Sequence, residues 1–145
     1  MSQVQSVIAP SGTAVSTEQI QELVAHACPA KDYAGRRVLL VVPDSTRTAP
    51  IGPFFRALHR QIAASAAAFD VMVALGTHPP MSEEAICRRL EITPAERAAD
   101  FGSVRLLNHE WDNPAALRTL GSIPAAPLAP RRINTPRSPA PGAKP

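Results

Sequence analysis

The sequence predicts an α/β fold, in which an open parallel sheet of about three to four strands is flanked by helices and followed by a disordered C-terminal tail. Two runs of mainly apolar, β-favouring residues, 38–42 and 69–75, have the length of buried strands, and the first of them is uninterrupted. The segment between them carries a helical apolar stripe, as in a right-handed βαβ unit. Beyond Gly121 no periodicity continues and proline accumulates.

The first predicted element is a helix. Ser16 followed by Gln19 has the form of a capping box, and Glu18 suits the positive end of a helix. Apolar residues then recur at helical spacing until Pro29, which ends the helix. Residues 1–15 have no clear period, so an extended or disordered lead-in is expected there.

The run at 38–42 predicts a central parallel strand with both faces covered, because its apolarity is continuous rather than alternating. A helix is predicted over 53–67, with Pro53 as its first residue. The second strand, 69–75, is stopped by Gly76.

The elements after residue 81 are predicted from shorter sequence patterns. Ser82 and Thr93-Pro94 predict two helix starts, residues 103–108 a third strand, and residues 113–120 a final helical turn or two. These elements place one α/β domain at 16–122.

The high pI of about 9.4 comes from the tail, residues 123–145. That tail has four basic residues and no acidic one, whereas the rest of the chain has eleven basic and twelve acidic residues. The body therefore lacks the basic stripe that neutralises phosphates, and we expect no nucleic-acid binding. The Pro-rich tail is predicted to be disordered, with recognition by an acidic partner or a Pro-binding domain as an alternative.

Cys28 and Cys87 lie in apolar helical surroundings without CxxC spacing, which predicts reduced thiols in a cytoplasmic protein. The apolar runs are far shorter than the ~20 residues that span a bilayer, so no membrane segment is expected.

Candidate chemistry lies in two loops. Ligands of open parallel sheets bind outside the carboxyl ends of strands, and residues 43–50 and 76–81 follow two such ends. The first loop holds Asp44, Thr46 and Arg47, and the second holds Thr77 and His78. If the strands are neighbours, both loops contact one ligand.

Each residue also has a purely structural interpretation. Asp44 could cap a turn, Arg47 could be a solvated surface arginine, and His78 could bond only to backbone. The stiff Pro79-Pro80 mount and the adjacent first loop favour His78 as a general base. His109, at the end of the third strand, is a further candidate for the same edge. No pair of histidines has metal-site spacing, so no metal site is predicted from this chain's side chains alone.

The segments 42–50 and 74–84, with Asn108-His109-Glu110-Trp111-Asp112, resemble the N-terminal domain of the nickel-dependent lactate racemase family over about residues 15–124. The resemblance implies a Rossmann-like domain that forms one wall of a cleft holding a nickel-pincer nucleotide, whose carbon accepts hydride from a 2-hydroxy acid such as lactate. His78 would be the catalytic histidine. Asp44, Thr46 and Arg47 would contact the cofactor, and Arg47 and Thr77 the substrate.

The family's second catalytic histidine, its cofactor-tethering lysine and its nickel-ligating histidine have no counterpart in this sequence. The family pattern stops near residue 123, as a shifted reading frame would produce. We therefore expect a truncated racemase-type domain that is inactive alone. The alternative is a non-catalytic interaction module that pairs with a separately encoded C-terminal half.

Overall fold

The computed structural model describes residues 5–122. The predicted tail at 123–145 lies outside the described residues. The chain forms four α-helices, one 3-10 helix and three strands within this part. In order they are α1 (Thr17–Ala27), the 3-10 helix (Ala30–Tyr33), β1 (Arg37–Pro43), α2 (Ile51–Ile62), β2 (Ala68–Ala74), α3 (Glu83–Arg89), α4 (Pro94–Ala99) and β3 (Leu106–Asn108).

The three strands form one parallel sheet in the order β1-β2-β3. Val42 of β1 is in register with Val73 of β2, which pairs in turn with Asn108 of β3. The carboxyl ends of all three strands therefore meet at one edge. The predicted α/β class, parallel arrangement and strand number are confirmed.

The hydrophobic core lies between one face of the sheet and the helices. Val71 and Val73 of β2 are fully buried against Phe55 of α2 and Leu90, the residue that ends α3. Helix α1 packs on α2 in a second, smaller cluster around Ile20, Val24 and Ala57. The capping box of Ser16 and Gln19 is present as predicted.

The other face of the sheet is open within residues 5–122. Leu39 is 48% exposed and Val41 53% exposed, because the described helices pack on the opposite face. Strand β1 is also an edge strand in this part of the chain. The expectation of a central strand covered on both faces is therefore wrong for the described residues.

Several helices and strands begin or end at residues other than those predicted. Helix α2 begins at Ile51 rather than Pro53 and ends at Ile62 rather than near residue 67. Strand β3 is limited to Leu106–Asn108. Residues 114–116 form a turn, in which the Asn113 carbonyl accepts a hydrogen bond from the Ala116 amide, and residues 117–120 are irregular, so the helix predicted at 113–120 is absent.

Cys87 is buried, Cys28 is partly buried, and both are free thiols, as predicted. No helix among residues 5–122 is long and apolar enough to cross a membrane.

Candidate functional site at the carboxyl edge of the sheet

The first loop leaves β1 through Asp44, whose carboxylate folds back onto its own loop. Asp44 Oδ1 accepts hydrogen bonds from the Thr46 amide at 3.1 Å and the Thr46 hydroxyl at 2.5 Å. The side chain is nearly buried although it lies at the end of an edge strand. The turn-capping interpretation of Asp44 is therefore correct for one of its two oxygens.

The second loop brings His78 to the other oxygen. Gly76 turns the chain with a φ of 59°, a left-handed conformation that favours glycine. His78 Nδ1 then lies 2.6 Å from Asp44 Oδ2. The carboxylate is 8% exposed and the imidazole 55% exposed, so a buried anion orients a ring that faces solvent.

The surroundings of Asp44 keep it ionised. Its pKa is lowered, chiefly because the Thr46 hydroxyl donates to the carboxylate, with further help from the Thr46 amide and from His78; burial opposes the shift. An ionised carboxylate only accepts hydrogen bonds, so Nδ1 of the neutral imidazole carries the hydrogen. The Nε2 lone pair is left free to take a proton.

A groove of about 250 Å³ lies beside this pair. Asp44, Thr46, Arg47 and His78 line it together, and Val41 extends its wall onto the open face of the sheet. Four of the five predicted site residues thus share one groove. The Arg47 side chain lies exposed at its edge.

Thr77, the fifth residue, lines a neighbouring groove of about 220 Å³ on the other side of His78. His109 and Trp111 also line it, so the prediction that His109 reaches this edge is confirmed. His78 forms part of both grooves and lies between them.

A larger cleft of about 470 Å³ lies between α3 and α4, away from this edge. It contains Cys87, whose pKa is raised by burial, and the Glu83–Arg97 ion pair. A buried thiol with a raised pKa is a poor nucleophile. The larger cleft therefore lacks the activated pair that the smaller groove has.

Two residues whose contacts with the site loops were not predicted hold these loops from outside. Arg89 of α3 donates to backbone carbonyls of the first loop, and Asn108 of β3 bonds to the backbone at the end of the second. Arg89 does not stand out in the sequence, because an arginine late in a helix also suits the helix dipole. Asn108 lies in a segment that carries the family resemblance, but an asparagine after a strand also suits a turn, so its bond to the second loop is not predicted.

A metal site requires several ligating side chains close to one another. Within 5–122 no three His, Cys, Asp or Glu side chains come together closely enough to hold a metal ion. Lys31 lies in the 3-10 helix before β1, at the opposite edge of the sheet. These residues therefore do not fit the metal-bearing part or the tether of the expected cofactor.

The chain is similar to known proteins in sequence and in fold. Residues 5–128 match the lactate racemase N-terminal domain family. A crystal structure of a protein from Thermotoga maritima has a similar fold, with a TM-score of 0.63 and 30% sequence identity over 77% of this chain. The match covers 25% of the Thermotoga maritima chain, so the present chain spans about a quarter of that length. No curated protein matches the sequence.

Proposed function

The chain belongs to the lactate racemase N-terminal domain family, and from this we propose that it supplies one wall of a racemase cleft in which His78 is the general base toward a 2-hydroxy acid such as lactate. The observation that carries the proposal is the bond between His78 Nδ1 and Asp44 Oδ2, 2.6 Å long, at the carboxyl ends of two adjacent strands. The reaction proposed for the complete enzyme is racemisation or epimerisation by reversible hydride transfer.

Asp44 acts on His78 in two ways under this proposal. It fixes the tautomer with hydrogen on Nδ1, which leaves Nε2 as the basic nitrogen, and its negative charge stabilises the imidazolium that forms when Nε2 takes the hydroxyl proton. Removing that proton makes departure of hydride from the α-carbon easier. Thr46 supports the arrangement by holding the second carboxylate oxygen.

Arg47 is the proposed anchor for the substrate carboxylate. Its guanidinium is a planar donor that binds carboxylates through two parallel bonds, and it lines the same groove as His78. Thr77 adds a hydroxyl next to the base. Anchoring the carboxylate beside a fixed base holds the hydroxyl and its proton near Nε2, which lowers the entropic part of the barrier.

The family association also implies the nickel-pincer nucleotide, toward which Asp44, Thr46 and Arg47 are the proposed contacts. Because the described residues offer neither a metal-ligand cluster nor a lysine at this edge, the proposed role of residues 5–122 is limited to contacting the cofactor, binding the acid and moving its proton. The metal ligand and tether would belong to other parts of a complete enzyme, and this chain is proposed to be inactive alone.

Binding of lactate and propionate distinguishes the role proposed for Arg47, the carboxylate anchor, from that proposed for His78, the base. The acids share a carboxylate, but only lactate has a hydroxyl. We expect both to shift the Arg47 side-chain resonances at millimolar concentration, and only lactate to shift the His78 ring nitrogens. R47Q should abolish the response of His78 to lactate, whereas H78Q should leave the response of Arg47 to both acids.

Equal responses of His78 to both acids would contradict its role as the base. Racemisation is followed separately by optical rotation, with D- or L-lactate and supplied pincer cofactor. Clear turnover by this chain alone would contradict the proposed dependence on a second half.

The open sheet face favours a second candidate, a non-catalytic module that pairs with a separately encoded C-terminal half. Leu39 and Val41 are about half exposed on that face, and β1 has a free edge within the described residues. The proposed occupant adds a parallel strand to β1 and covers these side chains with a helix, as in doubly wound sheets. The quarter-length coverage of the Thermotoga maritima chain supports it.

Gel filtration with and without a neighbouring-gene product tests the pairing. A complex that forms with the wild-type chain and not with L39K/V41K would support the second candidate. A chain that stays monomeric in both mixtures would count against it.

A further inference from the structure

The first site loop is held by an arginine from outside it. Arg89 Nε donates to the carbonyl oxygen of Pro43 at 3.2 Å, and Arg89 Nη2 donates to the carbonyl oxygen of Arg47 at 2.7 Å. These two carbonyls stand at the two ends of the segment that contains Asp44. One planar guanidinium therefore fixes the distance across the loop that carries the carboxylate.

The second site loop is held in a similar way. Asn108 Oδ1 accepts from the Met81 amide at 3.0 Å, and Asn108 Nδ2 donates to the Met81 carbonyl at 2.9 Å. The amide thus pairs with both polar groups of one backbone residue, three positions after His78. It ties the end of the histidine loop to the end of β3.

Both side chains are mounted on well-packed elements. Arg89 lies between Ile86 and Leu90, which are buried in the core. Asn108 is the last residue of β3 and is in register with Val73. A site residue held by rigid neighbours keeps its geometry to a fraction of an ångström, which general-base chemistry requires.

We propose that Arg89 and Asn108 are positioning residues that clamp the two loops so that Asp44 and His78 stay in contact. Arg89 lines neither groove beside the pair, and Asn108 lines only the groove that contains Thr77, where both ends of its side-chain amide already bond to the Met81 backbone. Both residues therefore act through the loops rather than on a substrate. The inference rests on the function proposed for the pair. It concerns the geometry of the chain itself and does not depend on turnover.

The test uses the full chain and reads the imidazole directly. At alkaline pH, ring ¹⁵N spectra distinguish hydrogen on Nδ1 from hydrogen on Nε2. The wild-type chain should show the Nδ1–H form of His78. R89A should shift His78 toward a mixture of tautomers and speed hydrogen exchange of the Thr46 amide, which bonds to Asp44, by about tenfold.

Arg88 supplies the matched control. It lies on the same helix and carries the same charge, but it is exposed and pairs with Glu84 instead of the loop. R88A should leave both readouts at wild-type values. R89K keeps the charge and loses the planar fork, so it should behave like R89A; it also carries the test if R89A does not fold.

The second clamp is tested in parallel. N108A should speed exchange of the Met81 amide by about tenfold and reduce the Nδ1–H form of His78. N113A, at an exposed asparagine in the turn after β3, is its control.

A wild-type tautomer in R89A or N108A would overturn the proposal for that residue. So would an R89K variant that matches wild type while R89A does not, because charge alone would then explain the effect. If the chain does not bind lactate but the tautomer of His78 still depends on Arg89 and Asn108, the function proposed for the site is wrong. The positioning role proposed for Arg89 and Asn108 would then still hold.

Discussion

Gly52, the second residue of α2, lies against Glu91, which is two residues beyond the end of α3. A Cβ built at Gly52 would be 2.5 Å from Glu91 Cδ and 2.7 Å from Glu91 Cβ. The second contact matters most, since Cβ cannot move without its backbone. Glu91 has a φ of 56° and its carbonyl accepts a 2.6 Å bond from Arg56, so its backbone is held in place.

The expected effect of Gly52→Ala follows from these distances. Ordinary contact would require a separation of roughly 1 Å more, and overpacking of this kind costs about 1–3 kcal/mol. Alanine recovers about 0.5–1 kcal/mol through its greater helix propensity. We therefore expect the variant to lose about 1–2 kcal/mol in free energy of unfolding, which lowers Tm by roughly 3–8 °C for a domain of this size.

Urea denaturation of the wild type, G52A, E91G, the G52A/E91G double variant and one control measures this effect. Glu91→Gly removes the obstructing side chain at a φ that glycine tolerates, so G52A should destabilise the E91G background by less than about 0.5 kcal/mol. Gly121→Ala, where no atom of residues 5–122 lies within 4 Å of the new Cβ, is the control and should be neutral. A wild-type stability for G52A, or an equal loss in both backgrounds, would refute the steric argument.

Three further predictions concern stability and the site. The pKa of Glu96 is lowered from its usual 4.5 to about 2, chiefly by the hydrogen bond from Arg56. Its ionised form therefore stabilises the fold fully above pH 4.5, and that contribution is lost as the pH falls toward 2. The stability difference between wild type and E96Q, measured by urea denaturation across this range, should shrink accordingly; a constant difference would contradict it. Phe55→Ala should cost about 3–5 kcal/mol by the same assay, because this fully buried ring packs on Phe69 and Phe101. Asp44→Asn should abolish the exclusive Nδ1–H form of His78 in ring ¹⁵N spectra, and an unchanged tautomer would show that the loop alone sets it.

The sheet was predictable because its strands have strong local signals. The apolar runs around Val42 and Val73 gave both the strands and their parallel connection, and the capping residues Ser16, Ser82 and Thr93 marked three helix starts. The exposure of one face of β1 could not be predicted from the sequence. Leu39 and Val41 are as apolar as their neighbours, and apolarity shows what is suited to burial without showing which segment buries it.

The site was predictable as a location more than as a geometry. Strand order alone placed Asp44 and His78 at one edge, and the structure adds that their side chains bond to each other. Which loop reaches which, and through what contacts, depends on tertiary partners distant in sequence. Arg89 lies 46 residues from Pro43 and Asn108 lies 27 residues from Met81, so no local pattern announces either bond.

The exposed face of the sheet and the groove beside Asp44 and His78 lie next to each other. Val41 belongs both to the exposed face of the sheet and to the wall of the groove beside Asp44 and His78. Any segment that covers the face would therefore also close the groove on that side and exclude water from the base. Covering would strengthen the interaction between His78 and Asp44, since charges attract more strongly in a medium of lower dielectric constant. The proposed pairing and the proposed base are thus linked at Val41. Adding the second half should strengthen lactate binding by the wild-type chain and leave that of L39K/V41K, which is expected not to pair, unchanged.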